Sequence, residues 1–231
     1  MRIKTIYALE ISGLCNMVCD YCPYRLHQRK RGLMSWETLE RIFYWVDKGL
    51  RWNRPLHLHL FGDPLLHPQF AEMARVIWQR YKTPLSFSTN GKALTPAMAD
   101  KLAIVPWKYI TLSPHDKEAA EKAMYSLGSR GVKLQWHGGP DHNWAGQVEH
   151  EIQWRWQCEF AMYGKMVVRW NGDIAMCCIT DGPQGVIGSI WDDDLLSKEN
   201  VSFELCEQCH LTRDESEAEK LVGSLVGVHA L

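Results

Sequence analysis

The chain has 231 residues, of which 46% are hydrophobic and 23% charged, and its formal net charge is −1. This length allows one large domain or a core domain with a small appendage, and no stretch approaches the roughly 20 continuous apolar residues that a membrane span needs. A near-neutral chain has no global basic field to recruit nucleic acid or an anionic membrane. Because the N-terminus runs into a strand-like pattern without the apolar segment of a signal peptide, we expect a cytoplasmic protein.

Residues 6–137 are predicted to alternate between strands and helices. The strands are predicted at 6–11, 56–60, 85–88, 109–112 and 132–136. The helices between them are predicted to start at a cap at Ser35, near Phe70, at Thr95-Pro96 and at residue 116. Strands separated by helices favour parallel pairing with right-handed crossovers. The predicted fold class is α/β, an open partial (β/α) barrel of five or six strands, because the pattern has too few repeats for a closed eight-fold barrel.

After residue 140 the pattern changes. Residues 166–178 read MVVRWNGDIAMCC, two short strands around Asn171-Gly172, which is typical of a type I′ hairpin. With the cysteines further on, this region is predicted to form a small cysteine-bound unit. We therefore expect a core domain at 1–145 and a C-terminal unit at 146–231, whose end, 215–231, is expected to be helical.

The eight cysteines fall into two groups. Three lie in CNMVCDYCP at 15–23, none lies between 23 and 157, and five follow: Cys158, Cys177, Cys178, Cys206 and Cys209. In a cytoplasmic chain this usage favours metal or redox chemistry over disulfides. Zinc and electron-transfer iron–sulfur sites normally take four protein ligands. Three clustered cysteines therefore either recruit a distant fourth ligand or leave one metal position open.

Four segments together resemble the radical S-adenosylmethionine (SAM) superfamily. Cys15-x3-Cys19-x2-Cys22, with Tyr21 before the last cysteine, is similar to the family's cluster-binding signature. LHLFGDPLLHP (58–68) is similar to its strand-two motif, LSFSTNGKAL (85–94) to its strand-three segment, and ITLSPHD (110–116) to its strand-four segment. Phe61 and Asp63 depart from this pattern, because the strand-two motif usually reads Gly-Gly-Glu-Pro.

This resemblance implies a [4Fe–4S] cluster on Cys15, Cys19 and Cys22, with one iron open to the amine and carboxylate of SAM. One electron from the cluster would cleave SAM to methionine and a 5′-deoxyadenosyl radical, which takes a hydrogen atom from the substrate. The SAM-binding candidates are residues that match positions of the family's motifs or that follow strands four and five. They are Tyr21, Gly62, Asp63, Asn90, Ser113, His115 and His137. A zinc ion completed by a distant ligand is the alternative interpretation of the three cysteines.

The second cysteine group resembles the twitch domain, the shortened form of the SPASM domain. The resemblance implies an auxiliary [4Fe–4S] cluster on Cys158, Cys177, Cys206 and Cys209, with Cys178 as the spare cysteine that binds no metal. Because Cys177 and Cys178 are adjacent, the assignment of the ligand between these two stays open. A zinc ion on the same four thiolates is the alternative. The layout also resembles the aminocyclitol dehydrogenases of the superfamily, which implies oxidation of a small molecule with the auxiliary cluster as electron acceptor.

Two other functions stay open at this point. One is a radical isomerase or modifying enzyme that acts on a peptide or a modified base, and the other is a non-enzymatic iron–sulfur electron carrier. The expected partners are a small-molecule substrate and a reductant such as flavodoxin or ferredoxin. We expect no membrane partner, and we expect contact with nucleic acid only if the substrate is a modified nucleotide.

Several other side chains have a plain structural interpretation beside a functional one. The basic run Arg25, His27, Arg29, Lys30 and Arg31 is interpreted as a solvated loop, or as a contact with an anionic ligand. His59 is expected to be structural, with a place in the lining of the cavity as the alternative. Trp136, Trp144, Trp154, Trp156 and Trp170 are expected to pack in the core, with an aromatic substrate wall as the alternative, and Arg155 and Arg169 to form surface ion pairs or to bind a polar substrate.

Overall fold

The structure is a computed structural model that describes residues 2–20, 22–26, 29–137, 147, 156–199, 201–207, 209 and 211–212, with backbone only at 156–157 and 211–212. In chain order the elements are β1 (Thr5–Leu9), α1 (Trp36–Asp47), β2 (Arg51–His57), α2 (Phe70–Tyr81), β3 (Leu85–Thr89), α3 (Pro96–Ala103), β4 (Trp107–Leu112), α4 (Lys117–Gly128), β5 (Leu134–Trp136), β6 (Trp156–Gln157), α5 (Glu159–Tyr163), β7 (Lys165–Val168), β8 (Asp173–Ala175), β9 (Val186–Ser189), α6 (Glu204–Glu207) and β10 (Leu211–Thr212).

An eight-stranded sheet forms the centre of the fold, with the strand order β5-β4-β3-β2-β1-β7-β8-β9. The strands from β5 to β1 are parallel, and β7 pairs in parallel with the free side of β1. The predicted α/β partial barrel is therefore confirmed, with β7 as its sixth parallel strand. The predicted hairpin consists of β7 and β8, which pair antiparallel, and β9 continues the sheet by pairing antiparallel with β8. The boundary predicted at 145/146 and the helix predicted at 215–231 lie outside the described residues.

Side-chain caps start three of the helices where the sequence predicts them. Ser35 Oγ accepts a hydrogen bond from Thr38 N at 3.0 Å, and Thr95 Oγ1 accepts one from Met98 N at 3.1 Å. Asp116 Oδ1 accepts from Ala119 N at 3.1 Å. Each cap satisfies a backbone donor that has no partner within the helix, and replacing such a cap by alanine typically costs about 1 kcal/mol.

The apolar faces of the helices pack on the sheet and form one core. Phe70 of α2 contacts Phe87 of β3 edge to face, with ring centroids 4.8 Å apart, and Phe87 contacts Trp107 of β4 at 4.8 Å. Leu39 and Ile42 of α1 are fully buried in the same core. Because parallel strands end on the same side, this packing brings the loops that follow β1 to β5 together at one end of the barrel.

Within the part of the chain that the structure describes, no helix is both long and apolar enough to cross a membrane.

Candidate active site

A cavity of about 640 Å³ opens at the carboxyl ends of the parallel strands. The predicted cluster and SAM residues among its lining side chains are Cys15, Cys19, Cys22, Gly62, Asp63, Asn90, Ser113, His115 and His137. Tyr21, the remaining SAM candidate, lies outside the described residues. The four sequence segments that resemble the radical SAM motifs thus meet at a single cavity, although their ends are about a hundred residues apart in the chain.

The first cysteine loop is held in shape by backbone hydrogen bonds. Cys15 N donates to Tyr24 Oη at 3.1 Å, and Cys22 N donates to the carbonyl oxygen of Cys19 at 3.1 Å. Burial raises the pKa of the Cys15 thiol, and it raises that of Cys22 to about 11, where the charges of the neighbouring cysteines and Asp181 add to it. Without a metal these thiols are therefore protonated at neutral pH, so metal binding must release protons.

Gly62 lies where the loop after β2 crosses the first cysteine loop. A Cβ atom at this position would stand 2.0 Å from the carbonyl oxygen of Ser12 and 2.7 Å from that of Leu14. The next residue, Asp63, donates its backbone N–H to the Leu14 carbonyl oxygen at 2.7 Å. Only glycine permits this close approach of two backbones, which fixes the second motif against the cysteines.

Asp63 is 3% exposed, and its carboxylate is engaged by the chain itself. It accepts hydrogen bonds from Thr89 Oγ1 at 2.8 and 2.9 Å, from Asn90 N at 3.0 Å and from Leu65 N at 3.0 Å. Burial raises the pKa of this carboxyl group, and the same hydrogen bonds oppose the rise. Asp63 therefore braces the end of β3 from the rim of the cavity, and SAM binding by its side chain stays a prediction.

Asn90 links the end of β3 to the first cysteine loop. Its Nδ2 donates to Asn16 Oδ1 at 2.9 Å, and its Oδ1 accepts from Lys92 N at 2.9 Å. The sequence analysis missed Asn16, although its place between Cys15 and Cys19 could have suggested a role. Ser113 at the end of β4 donates its backbone N–H to the carbonyl oxygen of Thr89 at 2.9 Å, which aligns the third and fourth motifs.

One wall of the cavity consists of polar and aromatic side chains that the sequence analysis did not single out as a group. They are Tyr7, His57, His59, Ser88, Tyr109, Thr111 and Gln135. The expectation that His59 is structural is wrong: it lines the cavity, and its buried Nδ1 has no hydrogen-bond partner among the described residues. The missed signal is the strand period, because residues 57 and 59 project to the same side of an extended chain.

The two histidines of this wall are uncharged at neutral pH. Burial, with the charge of Lys165 as a smaller cause, lowers the pKa of His57 to about 4, and His57 Nδ1 lies 2.8 Å from Ser86 Oγ. Burial, followed by the charges of His57 and His137, lowers the pKa of His59 to about 3. Burial also raises the pKa of Tyr7, so its hydroxyl stays protonated. The wall offers neutral donors and acceptors to a ligand.

The second cysteine group gathers from separate segments. Burial raises the pKa of Cys177 to about 12, and the charges of Cys206 and Cys209 contribute, so these thiols lie in one region. Burial also raises the pKa of Cys178, with contributions from Cys177, Cys158 and Cys209. Cys178, predicted to be the spare, additionally lines the large cavity beside Tyr7. All eight cysteines are free thiols.

The structure corrects two predictions about arginines. Arg29 and Arg31 do not belong to a solvated loop, because both form ion pairs with the fully buried carboxylate of Asp181. Arg169 is 3% exposed and donates to the carbonyl oxygens of Thr180 and Gly182, so it is neither a surface ion pair nor a substrate ligand. Arg25 and Lys30 are exposed as expected, whereas His27 and Arg155 lie outside the described residues.

The tryptophans divide between the two interpretations. Trp170 packs against the core as expected, but Trp136 is 47% exposed and lines the cavity, as the aromatic-wall alternative requires. Trp144, Trp154 and the side chain of Trp156 lie outside the described residues.

Residues 9–117 match the sequence model of the radical SAM superfamily. This match covers 109 of the 231 residues and confirms, over that part of the chain, the resemblance seen in its motifs. A curated relative, the tungsten-containing aldehyde ferredoxin oxidoreductase cofactor-modifying protein of Pyrococcus furiosus, is 31% identical over 101 residues. That match covers 44% of this chain and 28% of the relative, so the chain spans less than a third of the relative's length.

Solved structures share the fold over most of the chain. The crystal structure of BtrN in complex with AdoMet and 2-DOIA aligns with a TM-score of 0.65 and 18% identity, covering 86% of this chain and 83% of BtrN. AnSMEcpe with bound AdoMet gives 0.59 and 16% identity over 85% and 80% of the two chains. SuiB of Streptococcus suis, bound to precursor peptide SuiA, gives 0.58 and 13% over 90% and 70%. At these identities the likeness establishes the fold alone.

The donor set at the first cysteine loop fits the [4Fe–4S] cluster that a radical SAM domain implies. Three thiols face one cavity, and thiolates are the ligands that iron–sulfur clusters take. Among the residues described here, no three metal-binding side chains converge closely enough to hold a single metal ion. In a cubane each thiolate binds a different iron, so its ligands stand farther apart than those of one ion. Iron and acid-labile sulfide analysis distinguishes such a cluster from the zinc ion of the alternative interpretation.

Proposed function

We propose that this protein is a radical SAM enzyme that oxidises a small-molecule substrate. The observation that carries the proposal is the meeting of Cys15, Cys19 and Cys22 with Gly62, Asn90 and Ser113 at one cavity. Cys15, Cys19 and Cys22 would hold a [4Fe–4S] cluster, which would supply the electron for reductive cleavage of SAM and so for hydrogen abstraction from the substrate.

The chain's own residues prepare the cavity for this chemistry. The backbone contact at Gly62 and the Asn16–Asn90 hydrogen bond hold the cysteine loop against the ends of β2 and β3. The neutral side chains of Tyr7, His57 and His59 also line this cavity. They favour an uncharged polar substrate such as an alcohol, because neutral donors and acceptors orient hydroxyl groups without a strong requirement for charge.

Oxidation needs a place for the second electron, and the second cysteine group supports this part of the proposal. Cys158, Cys177, Cys206 and Cys209 would saturate a [4Fe–4S] cluster, which then supplies an electron acceptor but no open site for substrate. The nearness of Cys177 to Cys206 and Cys209 is consistent with this ligand set. A flavodoxin or ferredoxin is the proposed source of the first electron.

The test is an anaerobic reconstitution followed by reduction with dithionite and addition of SAM. We expect about eight irons per chain if two cubane clusters are present, together with release of 5′-deoxyadenosine. The Cys15→Ala/Cys19→Ala/Cys22→Ala variant should lose about half of the iron and all 5′-deoxyadenosine. A Cys206→Ala/Cys209→Ala variant should lose a similar share of iron and still cleave SAM. Full iron loading without 5′-deoxyadenosine would instead indicate an electron carrier.

A second candidate is redox-neutral isomerisation or the modification of a cofactor or peptide. The name of the Pyrococcus furiosus relative favours it, since that protein is described as cofactor-modifying. The two candidates differ in stoichiometry. An oxidase consumes one SAM for each substrate oxidised, whereas an isomerase that returns the hydrogen atom regenerates SAM, so the ratio of 5′-deoxyadenosine to product distinguishes them.

A further inference from the structure

Buried ion pairs connect the two cysteine-bearing loops. The carboxylate of Asp181, three residues after Cys178, is fully buried and accepts hydrogen bonds from Arg29 Nε at 2.7 Å and Arg31 Nη1 at 2.8 Å. Both arginines belong to the loop that carries the first three cysteines. Arg29 also donates to the fully buried Glu10 at 2.5 Å. Charges that are buried without a partner are costly, so these pairs fix the relative position of the two loops.

The hairpin of β7 and β8 reinforces this connection. Arg169 Nη2 donates to the carbonyl oxygens of Thr180 at 3.1 Å and Gly182 at 2.7 Å, on either side of Asp181. The adjacent indole of Trp170 packs against Gly13 and Gly32, where an added Cβ would come within 2.6 Å of the ring. The hairpin therefore contacts the first cysteine loop at both of its ends.

A continuous path of contacts leads from Cys15 to Asp181. Cys15 N donates to Tyr24 Oη at 3.1 Å, and the guanidinium of Arg31 lies over the Tyr24 ring at 4.0 Å from its centroid. Arg31 Nη2 also donates to the Tyr24 carbonyl oxygen at 3.0 Å and to Asp181. None of Tyr24, Arg31 and Asp181 is among the described residues that line the cavity. Their contribution to the site is therefore indirect.

We propose that Arg31 and Asp181 are positioning residues that hold the loop of Cys177 and Cys178 against the loop of Cys15–Cys22, and whose charges tune the reduction potential of a cluster bound by the first loop. The proposal rests on the proposed function, because it presumes that cluster. In a poorly hydrated region a nearby carboxylate disfavours the more negative, reduced cluster, and a nearby guanidinium favours it.

Two substitutions of nearly constant size test the charge effect. In a potentiometric EPR titration of the reconstituted holoenzyme, the first cluster is recognised by the change that SAM causes in its signal. Asp181→Asn should raise its midpoint potential, and Arg31→Met should lower it. Glu118→Gln, which removes an exposed ion pair with Lys122 on α4, is the matched control and should leave the potential unchanged. Shifts of the same sign in both variants, or no shift, would overturn the proposal.

Two further measurements complete the test, and the second of them does not require iron. Arg31→Lys keeps the positive charge but loses the planar guanidinium group. The midpoint potential of the first cluster in this variant should therefore lie closer to the wild-type value than in Arg31→Met. In thermal unfolding of the apo protein, Arg31→Met and Asp181→Asn should each lower the Tm, and the double variant should lose less than the sum of the two. An additive double variant would overturn the positioning role. Failure of the wild type to cleave SAM would instead contradict the proposed function.

Discussion

The two cysteine groups reach their positions in different ways. The first lies within eight residues on one loop after β1, and its neighbours Gly62 and Asn90 contact that loop directly. The second gathers from three separate segments: the N-cap of α5, the residues just after β8, and the pair Cys206 and Cys209 in and just after α6. A local loop keeps its geometry when the rest of the sheet changes, whereas an assembled group depends on every segment that contributes to it. The spacing of the first group is therefore set within its own loop, whereas the spacing of the second group depends on contacts between separate segments.

The largest effect is expected from substituting the two adjacent cysteines of the second group one at a time. Cys177→Ala should lower the iron content of the reconstituted protein by about half, since four thiolates hold one of two cubanes. Cys178→Ala should retain the iron, because Cys178 faces the large cavity. Iron and acid-labile sulfide analysis measures both. Loss of iron in Cys178→Ala alone would assign the ligand to Cys178.

A change at Gly62 tests whether the first group depends on its close backbone contact. Gly62→Ala places a Cβ 2.0 Å from the Ser12 carbonyl oxygen, so we expect a loss of about 1–3 kcal/mol in the free energy of unfolding and poor SAM cleavage. Chemical denaturation and 5′-deoxyadenosine release measure the two effects. Gly128→Ala is the control, since its new Cβ would meet its nearest neighbour at 3.8 Å and alanine favours a helix. Equal stability of the two variants would contradict the close approach.

A loss of stability of similar size, without a steric clash, is expected at Asp63, where it tests whether the carboxylate braces β3 or binds a ligand. Asp63→Asn replaces an acceptor oxygen by a donor next to Thr89 Oγ1 and the N–H groups of Leu65 and Asn90, which should cost about 1–3 kcal/mol. We expect a raised KM for SAM and an unchanged content of auxiliary iron. Asp63→Glu, which restores the usual carboxylate of the motif, keeps the charge and serves as the matched variant. Wild-type stability in Asp63→Asn would show that these hydrogen bonds contribute little.

The last effect appears only below neutral pH and concerns the cavity wall. The folded-state pKa of His57, about 4, is lower than the ordinary value of 6.5, so the unfolded chain binds more protons between these values. The stability that His57 contributes is fully present above pH 6.5 and is lost as the pH falls towards 4, by about 2 kcal/mol at pH 5. His57→Gln should remove this part of the pH dependence. The free energy of unfolding of the wild type and of His57→Gln is measured at pH 7 and at pH 5. An equal loss of stability in both proteins between these pH values would contradict the role of His57.

The first cysteine loop and the strand–helix alternation could be predicted because their signals are local. Spacing, capping residues and apolar periodicity all act within one or two turns of chain. Ser35 and Thr95 cap their helices as expected, and Asp116, predicted as the first helical residue, is the cap of α4. Strand β2 begins earlier than predicted, at Arg51, because its first half, RWNR, shows little apolar alternation. Pairing with β1 rather than side-chain pattern determines that boundary.

The role of the arginines could not be predicted, because their partners are distant in the sequence. Arg29 and Arg31 lie about 150 residues from Asp181, and a basic run carries no signal that its charges will be buried. For the same reason the place of β7 beside β1 does not follow from the hairpin pattern, which indicates only the pairing of β7 with β8. Long-range pairing depends on which edge of the barrel stays free, and that is a property of the whole sheet.

The position of β7 has a consequence for how the chain folds. Strand β1 is central, yet one of its two neighbours, Lys165–Val168, is synthesised about 160 residues later. Until that segment leaves the ribosome, one side of β1 exposes unpaired N–H and C=O groups, which is the kind of edge that pairs with other chains. A fragment that ends near residue 145 would keep this edge permanently. We therefore expect such a fragment to aggregate rather than to behave as an independent barrel.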